Sequence, residues 1–370
     1  SSLRIRYSTC LSVSMMQSRI GISHHTRGLA FLVLLCGCTL PEALRTRLGD
    51  QQWSPSMQAW LRHLDNATHP IDLTGHFSEH NSSGKVLHVI YSDSQFYNNR
   101  LAWIKQTWAE ALPSDRILVI GDKASQDTDL RGMPVLPTQC ASHEHWAGLC
   151  CKFAEALIAA HSAMELMPHV TWAYFADDDT YVRPEILEEA LRTSEASAVS
   201  STSPNGVVYG NFGCFVDSPA CQVPHGLCGG GGYAASRAAV ASLVGTRPGD
   251  LLRETMQNCD SCEMWSDIAL SVSFEKRSIL TLPMQGIQPW TLTKAEFDEG
   301  LAAAVEPVQY HYINTEGAMR FLHELFQPEE ADAIDVFLDE ASATQQCSTF
   351  RDRTVCASVG QDEVPWSLDG

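Results

Sequence analysis

The chain has 370 residues, 44% of them apolar and 19% charged, which is the composition of a folded globular protein and excludes a disordered or fibrous one. Its 25 Lys and Arg stand against 44 Asp and Glu, a net charge of -19 with no local basic patch, and this excludes nucleic acid as a partner. Thirteen cysteines are more than a reducing cytosol has structural use for.

In chain order, Arg19, His24, His25 and Arg27 precede the apolar run Gly28 to Leu40, the basic-then-apolar order of a secretory signal. The run is shorter than the about 20 residues of a membrane span, so residues 1–40 are expected to be a signal peptide or a short signal anchor. Sequons at Asn66-Ala67-Thr68 and Asn81-Ser82-Ser83 follow and would face the lumen. Residues 41–84 mix Pro, His, Ser, Asn and Gly and read as a stem with one short helix near Met57 to Leu64. At Val86 the pattern changes to VLHVIYSD, a buried-strand signal, followed by helical spacing from Arg100 to Leu112 and a second strand pattern, RILVIGD. Strand, helix, strand opens a βαβ unit and a parallel sheet.

A helix is expected over Gly148 to Met167, stopped by Pro168, and then VTWAYFADDDTYV runs apolar into three carboxylates. Asp177 to Asp179 would thus sit where a buried strand ends, at the ligand-binding edge of an α/β sheet. A helix is expected at Pro184 to Thr193, a glycine-rich loop region over about 203–236, and further helices at Ala234 to Val244 and near Met264 to Val272. The tail after Pro328 holds an acidic helix candidate and the pair Cys347 and Cys356. The ten cysteines from Cys140 to Cys356 are an even number, and Cys259-x-x-Cys262 lacks the second pair a zinc site needs, so structural disulfides are expected.

Three adjacent aspartates repel one another, and a divalent cation is the obvious offset. Hard oxygen donors favour Mg²⁺ or Mn²⁺, ions that keep open positions for substrate phosphates. The alternative is a solvated turn or helix N-cap leading into Pro184. Gly229 to Gly232 allows close backbone approach to a ligand, and without a following Gly-Lys-Ser/Thr it is no Walker loop.

The segments FYNNRLAWIKQTW, ILVIGD, LCCKFA, WAYFADDDTYV, CGGGGYAAS, WSDIALSV and QYHYI, in this order, resemble Fringe-type β1,3-glycosyltransferases, which are related to the core 1 β1,3-galactosyltransferases. The resemblance covers roughly 85–326. It implies a GT-A fold, an α/β sandwich with a central mixed, mainly parallel sheet, as the catalytic domain, with 327–370 as a tail. It also implies a lumenal catalytic domain in the Golgi membrane, type II if the N-terminal segment stays uncleaved and secreted if it is removed. By motif, Asp178 and Asp179 would approach the metal and the UDP-sugar, with Asp177 behind them, and His311 would add a metal ligand. Arg100 and Asp122 match positions for the donor phosphate and uracil, and Gly230, Gly231 and the following Tyr233 match an acceptor-side loop. Asp267 matches the base that takes the acceptor hydroxyl proton, with Glu263 four residues earlier as the rival on a shared helix face. The implied activity is inverting, Mn²⁺- or Mg²⁺-dependent transfer of N-acetylglucosamine or galactose from a UDP-sugar to a glycan or glycoprotein. A catalytically silent lumenal glycan-binding protein or chaperone of the same fold is the alternative. The stretch between Cys214 and Cys228 and the tail after 328 have no counterpart in that resemblance.

Overall fold

The computed structural model describes Leu73 and residues 84–123, 130, 133–138, 140, 146–195, 203–221, 223, 225–291 and 306–326. In the tail it describes the backbone of 335–336, 344–350 and 353–359. The described residues belong to one compact unit, Leu64–Gly370. The apolar run Gly28 to Leu40, the helix expected near Met57 to Leu64 and the sequons at Asn66 and Asn81 lie outside the described residues, as does most of the acidic helix candidate.

The run VLHVIY forms β1 (Val86–Tyr91), every residue of it buried. A continuous apolar run is what a strand covered on both faces requires, and β1 lies between two parallel neighbours, β2 (Ile117–Gly121) and β4 (Trp172–Asp177). The sheet extends through β3 (Val135–Pro137) on one side, and on the other through β9 (Tyr233–Ser236), β6 (Val207–Gly210) and β10 (Leu280–Pro283). Its order is β10-β6-β9-β4-β1-β2-β3, with β9 alone antiparallel to its neighbours. This is the expected mixed, mainly parallel sheet. The helices are α1 (Arg100–Lys105), α2 (Trp146–Leu166), α3 (Pro184–Glu195), α4 (Arg237–Val244), α5 (Pro248–Ser261), α6 (Ser266–Lys276) and α7 (Glu316–Phe326). No helix among the described residues is long and apolar enough to cross a membrane.

A second, three-stranded sheet decides where the late part of the chain goes. β12 (Gln309–Tyr310) pairs antiparallel with β5 (Tyr181–Val182) and parallel with β11 (Ile287–Gln288). Those pairings, with Ile313 N–H donating to the Asp179 carbonyl at 2.9 Å, bring residue 311 to the end of β4.

Three expectations change. The helix expected from Arg100 to Leu112 ends at Lys105, because Thr107 bonds back to the Trp103 carbonyl and Trp108 turns in to donate to the Thr180 carbonyl at 3.1 Å. The stretch 203–236 is loop-rich as expected, with short strands set in it: β6, β7 (Phe212–Cys214), β8 (Gly226–Leu227) and β9. Its glycines are partly close-approach positions, since a Cβ at Gly210 would stand 2.7 Å from Leu227. Ala234 to Ser236 are strand, and Ser236 then caps α4 by accepting from Ala239 N–H. The helix expected near Met264 begins at Ser266, because Glu263 and Met264 adopt left-handed φ of 53° and 67°.

Structural disulfides are observed. They join Cys140 to Cys151, Cys150 to Cys259, Cys214 to Cys228 and Cys221 to Cys262. Cys259 and Cys262 therefore serve two different bridges, and adjacent Cys150 and Cys151 staple α2 on two sides. In the tail, β14 (Thr344–Phe350) and β15 (Arg353–Val359) pair antiparallel with Cys347 opposite Cys356 in register, beside β13 (Asp335–Val336).

Candidate active site

Three parallel strands deliver polar residues to one edge. β1 ends at Tyr91 before Ser92 and Asp93, β2 at Gly121 before Asp122, and β4 at Asp177 before Asp178 and Asp179. The carboxyl edge of an α/β sheet is where ligands bind, because side chains there leave the ladder without breaking it.

The acidic triplet divides by direction. The chain leaves β4 after Asp177 and turns at Asp178 and Asp179, so that Asp177 and Asp179 face His311 while Asp178 faces Ser92 and Arg100. Ring nitrogen Nε2 of His311 lies 3.0 Å from Asp179 Oδ1 and 3.7 Å from Asp177 Oδ2. Potential ligand atoms of Asp177, Asp179 and His311 all fall within 4.8 Å of one another. The other ring nitrogen, Nδ1, is 3.2 Å from the Pro289 carbonyl. A carbonyl can only accept, so Nδ1 carries a proton and Nε2 is the nitrogen turned to the two carboxylates. That face needs a proton or a cation. Burial works against charging His311, but the hydrogen bond and charge of Asp179, with Asp177 beyond, outweigh it and raise its pKa. Burial likewise pushes Asp179 up, and His311 and Arg100 overcome it and hold the carboxyl below its ordinary value. Asp179 Oδ1 is buried, and His311 Nε2 at 3.0 Å is the side-chain group that faces it. Two carboxylate oxygens and one imidazole nitrogen are a fitting donor set for Mn²⁺ or Mg²⁺.

Asp178 has other partners. Its Oδ2 accepts from the Ser92 hydroxyl at 2.6 Å and its Oδ1 from Arg100 at 2.9 Å. Arg100 also donates to Asn314 at 2.7 Å, stands 3.5 Å from Asp179, and lies 4.4 Å over the ring of Phe96. Burial, then the charge of Asp179, raises the Asp178 carboxyl, with Arg100 and Ser92 offsetting part of the shift. Asp122 accepts from both the backbone N–H and the hydroxyl of Ser94, at 2.6 and 3.0 Å. It thereby pins the turn that carries Phe96 under Arg100.

Asp267 approaches from the other side of the glycine turn. It lies in the first turn of α6, where Oδ2 accepts from Gly229 N–H at 2.7 Å and Oδ1 from Ile268 N–H at 2.9 Å. Burial raises its pKa, and these backbone donors return part of the shift. The turn Gly229–Gly231 is wedged between two functional side chains: a Cβ at Gly229 would stand 2.3 Å from Asp267 Cβ, and one at Gly230 would stand 2.1 Å from the ring of His311. Glycine is required there because no other residue leaves that space. Gly231 packs against Ile287 and Gln309. Glu263 is exposed and outside the helix, so it does not share a helical face with Asp267. Tyr233 is buried in the core, its hydroxyl 3.0 Å from that of Tyr91, and does not line an acceptor-side surface.

Sequence reasoning missed Ser92, Asn314, Trp290 and Tyr312. Trp290 and Tyr312 are large exposed aromatics, 61% and 49% accessible, with rings 6.3 Å apart and inclined by 23°. Burial, then the charges of Asp179, Asp177 and Asp267, raises the Tyr312 hydroxyl, which puts it in the field of both halves of the site. The polar tail of YSDS after an apolar strand was a signal for Ser92; nothing local marks Asn314.

Residues 83–201 match the Fringe-like family model, a span that contains Arg100, Asp122 and the acidic triplet. A comparison with curated proteins finds no match. Similar solved structures include a glycosyltransferase involved in glycosylation of the major capsid of PBCV-1, at 15% identity and a TM-score of 0.31, covering 65% of this chain and 99% of that one. Mouse xyloside xylosyltransferase 1 is similar at 11% identity and a TM-score of 0.35, covering 61% and 97%. The bifunctional glycosyltransferase WbbM is similar at 12% identity and a TM-score of 0.37, covering 65% and 48%. Likenesses this distant carry no argument about the site.

Proposed function

We propose, from the match of residues 83–201 to the Fringe-like family model, that this chain is a glycosyltransferase that moves a hexose from a UDP-sugar to a hydroxyl of a glycan or glycoprotein with inversion. The observation that carries this reading is the convergence of two chemistries on one glycine turn. On one side stand Asp177, Asp179 and His311, with Arg100 beside Asp179, and on the other stands Asp267. Mn²⁺ or Mg²⁺ held by the first group would supply positive charge for the departing diphosphate.

The chain's own groups do the rest. Arg100, fixed by Asp178, Asn314 and the Phe96 ring, offers its guanidinium to a phosphate oxygen. Asp267, ionised, takes the acceptor hydroxyl proton as the acceptor oxygen bonds to the anomeric carbon from the face opposite UDP. The bond from that carbon to the phosphate oxygen breaks, and UDP leaves with the electron pair. Trp290 and Tyr312 present flat apolar faces of the kind a sugar ring can cover. The reading includes transfer of N-acetylglucosamine or galactose in a β1,3 linkage, and a GT-A arrangement in the lumen of the secretory pathway. The four disulfides support an oxidising compartment.

The test is UDP titrated by calorimetry with and without Mn²⁺ into the parent and Asp179→Ala, followed by a UDP-sugar screen for transfer. Mn²⁺-dependent UDP binding in the parent, abolished in the variant with the fold intact, is expected. A variant that binds like the parent moves the metal site elsewhere. Glycan binding without transfer from any UDP-sugar leaves a lectin.

A further inference from the structure

We propose that Lys152 is a positioning residue for the donor site: from the stapled helix α2 its ammonium fixes Ser92, whose hydroxyl holds Asp178 and through it Arg100. The inference rests on the donor-site reading above and adds a residue outside its contacts with substrate.

Lys152 is fully buried, as are its partners Ser92 and Asp93. Its Nζ donates to the Ser92 carbonyl at 2.9 Å and to the Asp93 carboxylate. Removing both charges of such a pair is often neutral for stability, since desolvation cancels much of the attraction. What an ammonium adds over a hydrophobic residue is direction: it can orient the polar groups around it. Here every polar group of Ser92 is assigned. Its N–H donates to the Ile120 carbonyl at 3.0 Å, its carbonyl accepts from Lys152, and its hydroxyl donates to Asp178 at 2.6 Å. Asp178 then accepts from Arg100 at 2.9 Å. The path Lys152, Ser92, Asp178, Arg100 is a continuous series of hydrogen bonds from α2 to the phosphate-facing guanidinium.

The origin of that path is anchored covalently. Cys150 and Cys151, the two residues before Lys152, are bridged to Cys259 and Cys140. The Lys152 backbone therefore cannot drift along or around α2 without straining two crosslinks. On the site side, Ser92 and Asp93 follow the last residue of β1 and lie beyond its ladder. A fixed lysine reaching into that segment transfers the rigidity of the helix to the sheet edge, which is how binding geometry is held in place by groups that do not touch ligand.

The test compares UDP affinity with Mn²⁺ by calorimetry, thermal melting, and donor against acceptor KM in the full chain. Lys152→Met alone takes the ammonium from the buried Asp93 carboxylate, so the informative variant is the pair Lys152→Met/Asp93→Leu. We expect it to melt near the parent, bind UDP at least 10-fold more weakly, and raise donor KM with acceptor KM unchanged. Ser92→Ala should reproduce the weakening, and adding the paired substitution to Ser92→Ala should cost little more, since residues on one path are non-additive. Donor affinity equal to the parent in either Ser92→Ala or the folded pair overturns the role of Lys152, and so does a fully additive loss. If the pair fails to fold, Lys152→Gln decides by the same criterion, because Ser92→Ala leaves the Lys152 bond to the Ser92 carbonyl in place. A parent that binds no UDP overturns the donor-site reading, and the positioning role falls with it.

Discussion

Gly230→Ala perturbs the cluster of Asp177, Asp179 and His311 without altering any of its members. The added Cβ would stand 2.1 Å from Cε1 and 2.2 Å from Nδ1 of His311, where ordinary contact begins at 3.4 Å. The ring must recede by roughly 1.3 Å, the gap between contact and clash, several times the about 0.2 Å tolerance of a metal–ligand bond. Retreat is opposed, because Nδ1 is held by the Pro289 carbonyl and the ring lies 3.8 Å from that of Tyr312. Loss of ligand alignment of this kind costs about 10- to 100-fold in metal affinity, or about 1.4 to 2.7 kcal/mol. The assay is Mn²⁺-dependent UDP binding by calorimetry, with Gly249→Ala as control, where a Cβ meets nothing within 4 Å. Gly230→Ala should weaken binding into that range at an unchanged melting profile. Binding equal to the control would refute the claim that the glycine turn sets His311.

Asp267→Asn keeps one acceptor for the backbone donors but cannot take a proton, so transfer should fall by about 10² to 10⁴ while UDP affinity stays within twofold; full transfer refutes the base. Because burial raises the Asp267 pKa, the base is protonated sooner as pH falls, and kcat should decline at a pH above the ordinary carboxylate value of about 3.9; an acid limb at or below that value contradicts the burial. Opening the Cys150–Cys259 bridge, with a sequence separation of 109, should cost about 4 to 5 kcal/mol in urea unfolding, against about 3 kcal/mol for Cys214–Cys228, separated by 14; equal losses would refute the loop-entropy account. Protein from a eukaryotic secretory host should resist thiol alkylation at these bridges until reduced, and ready alkylation would sink the compartment reading.

Gly229 and Gly230 show how far local sequence reaches. Their run announces close backbone approach, and the structure has one, but the neighbours they admit, Asp267 and His311, come from two distant segments. Tyr233, right after the run, matches an acceptor-side loop by resemblance alone. It is core, because β9 inserts between β4 and β6 and buries it against Phe175. Glu263 was credible as a helical neighbour of Asp267 only while the turn between α5 and α6 was unseen. A helical period cannot reveal a left-handed φ of 53° at a glutamate.

The sequence by itself marked three of the parallel strands, β1, β2 and β4, since an apolar run ending in polar residues fits a strand buried up to a sheet edge, and so it located the acidic triplet at that edge. It also pointed to structural disulfides, and eight cysteines among the described residues form them. The tertiary structure alone decided how the three aspartates divide. Asp177 and Asp179 face His311, which arrives through the β12–β5 pairing, while Asp178 faces Arg100 and Ser92. The reason is physical: periodicity records which face of an element is buried, whereas the partner of a buried charge is chosen by contacts between residues far apart in the chain. Those contacts leave no local trace. Lys152 is the sharpest case, a lone cation in an apolar helix whose purpose appears only when β1 is laid beside it.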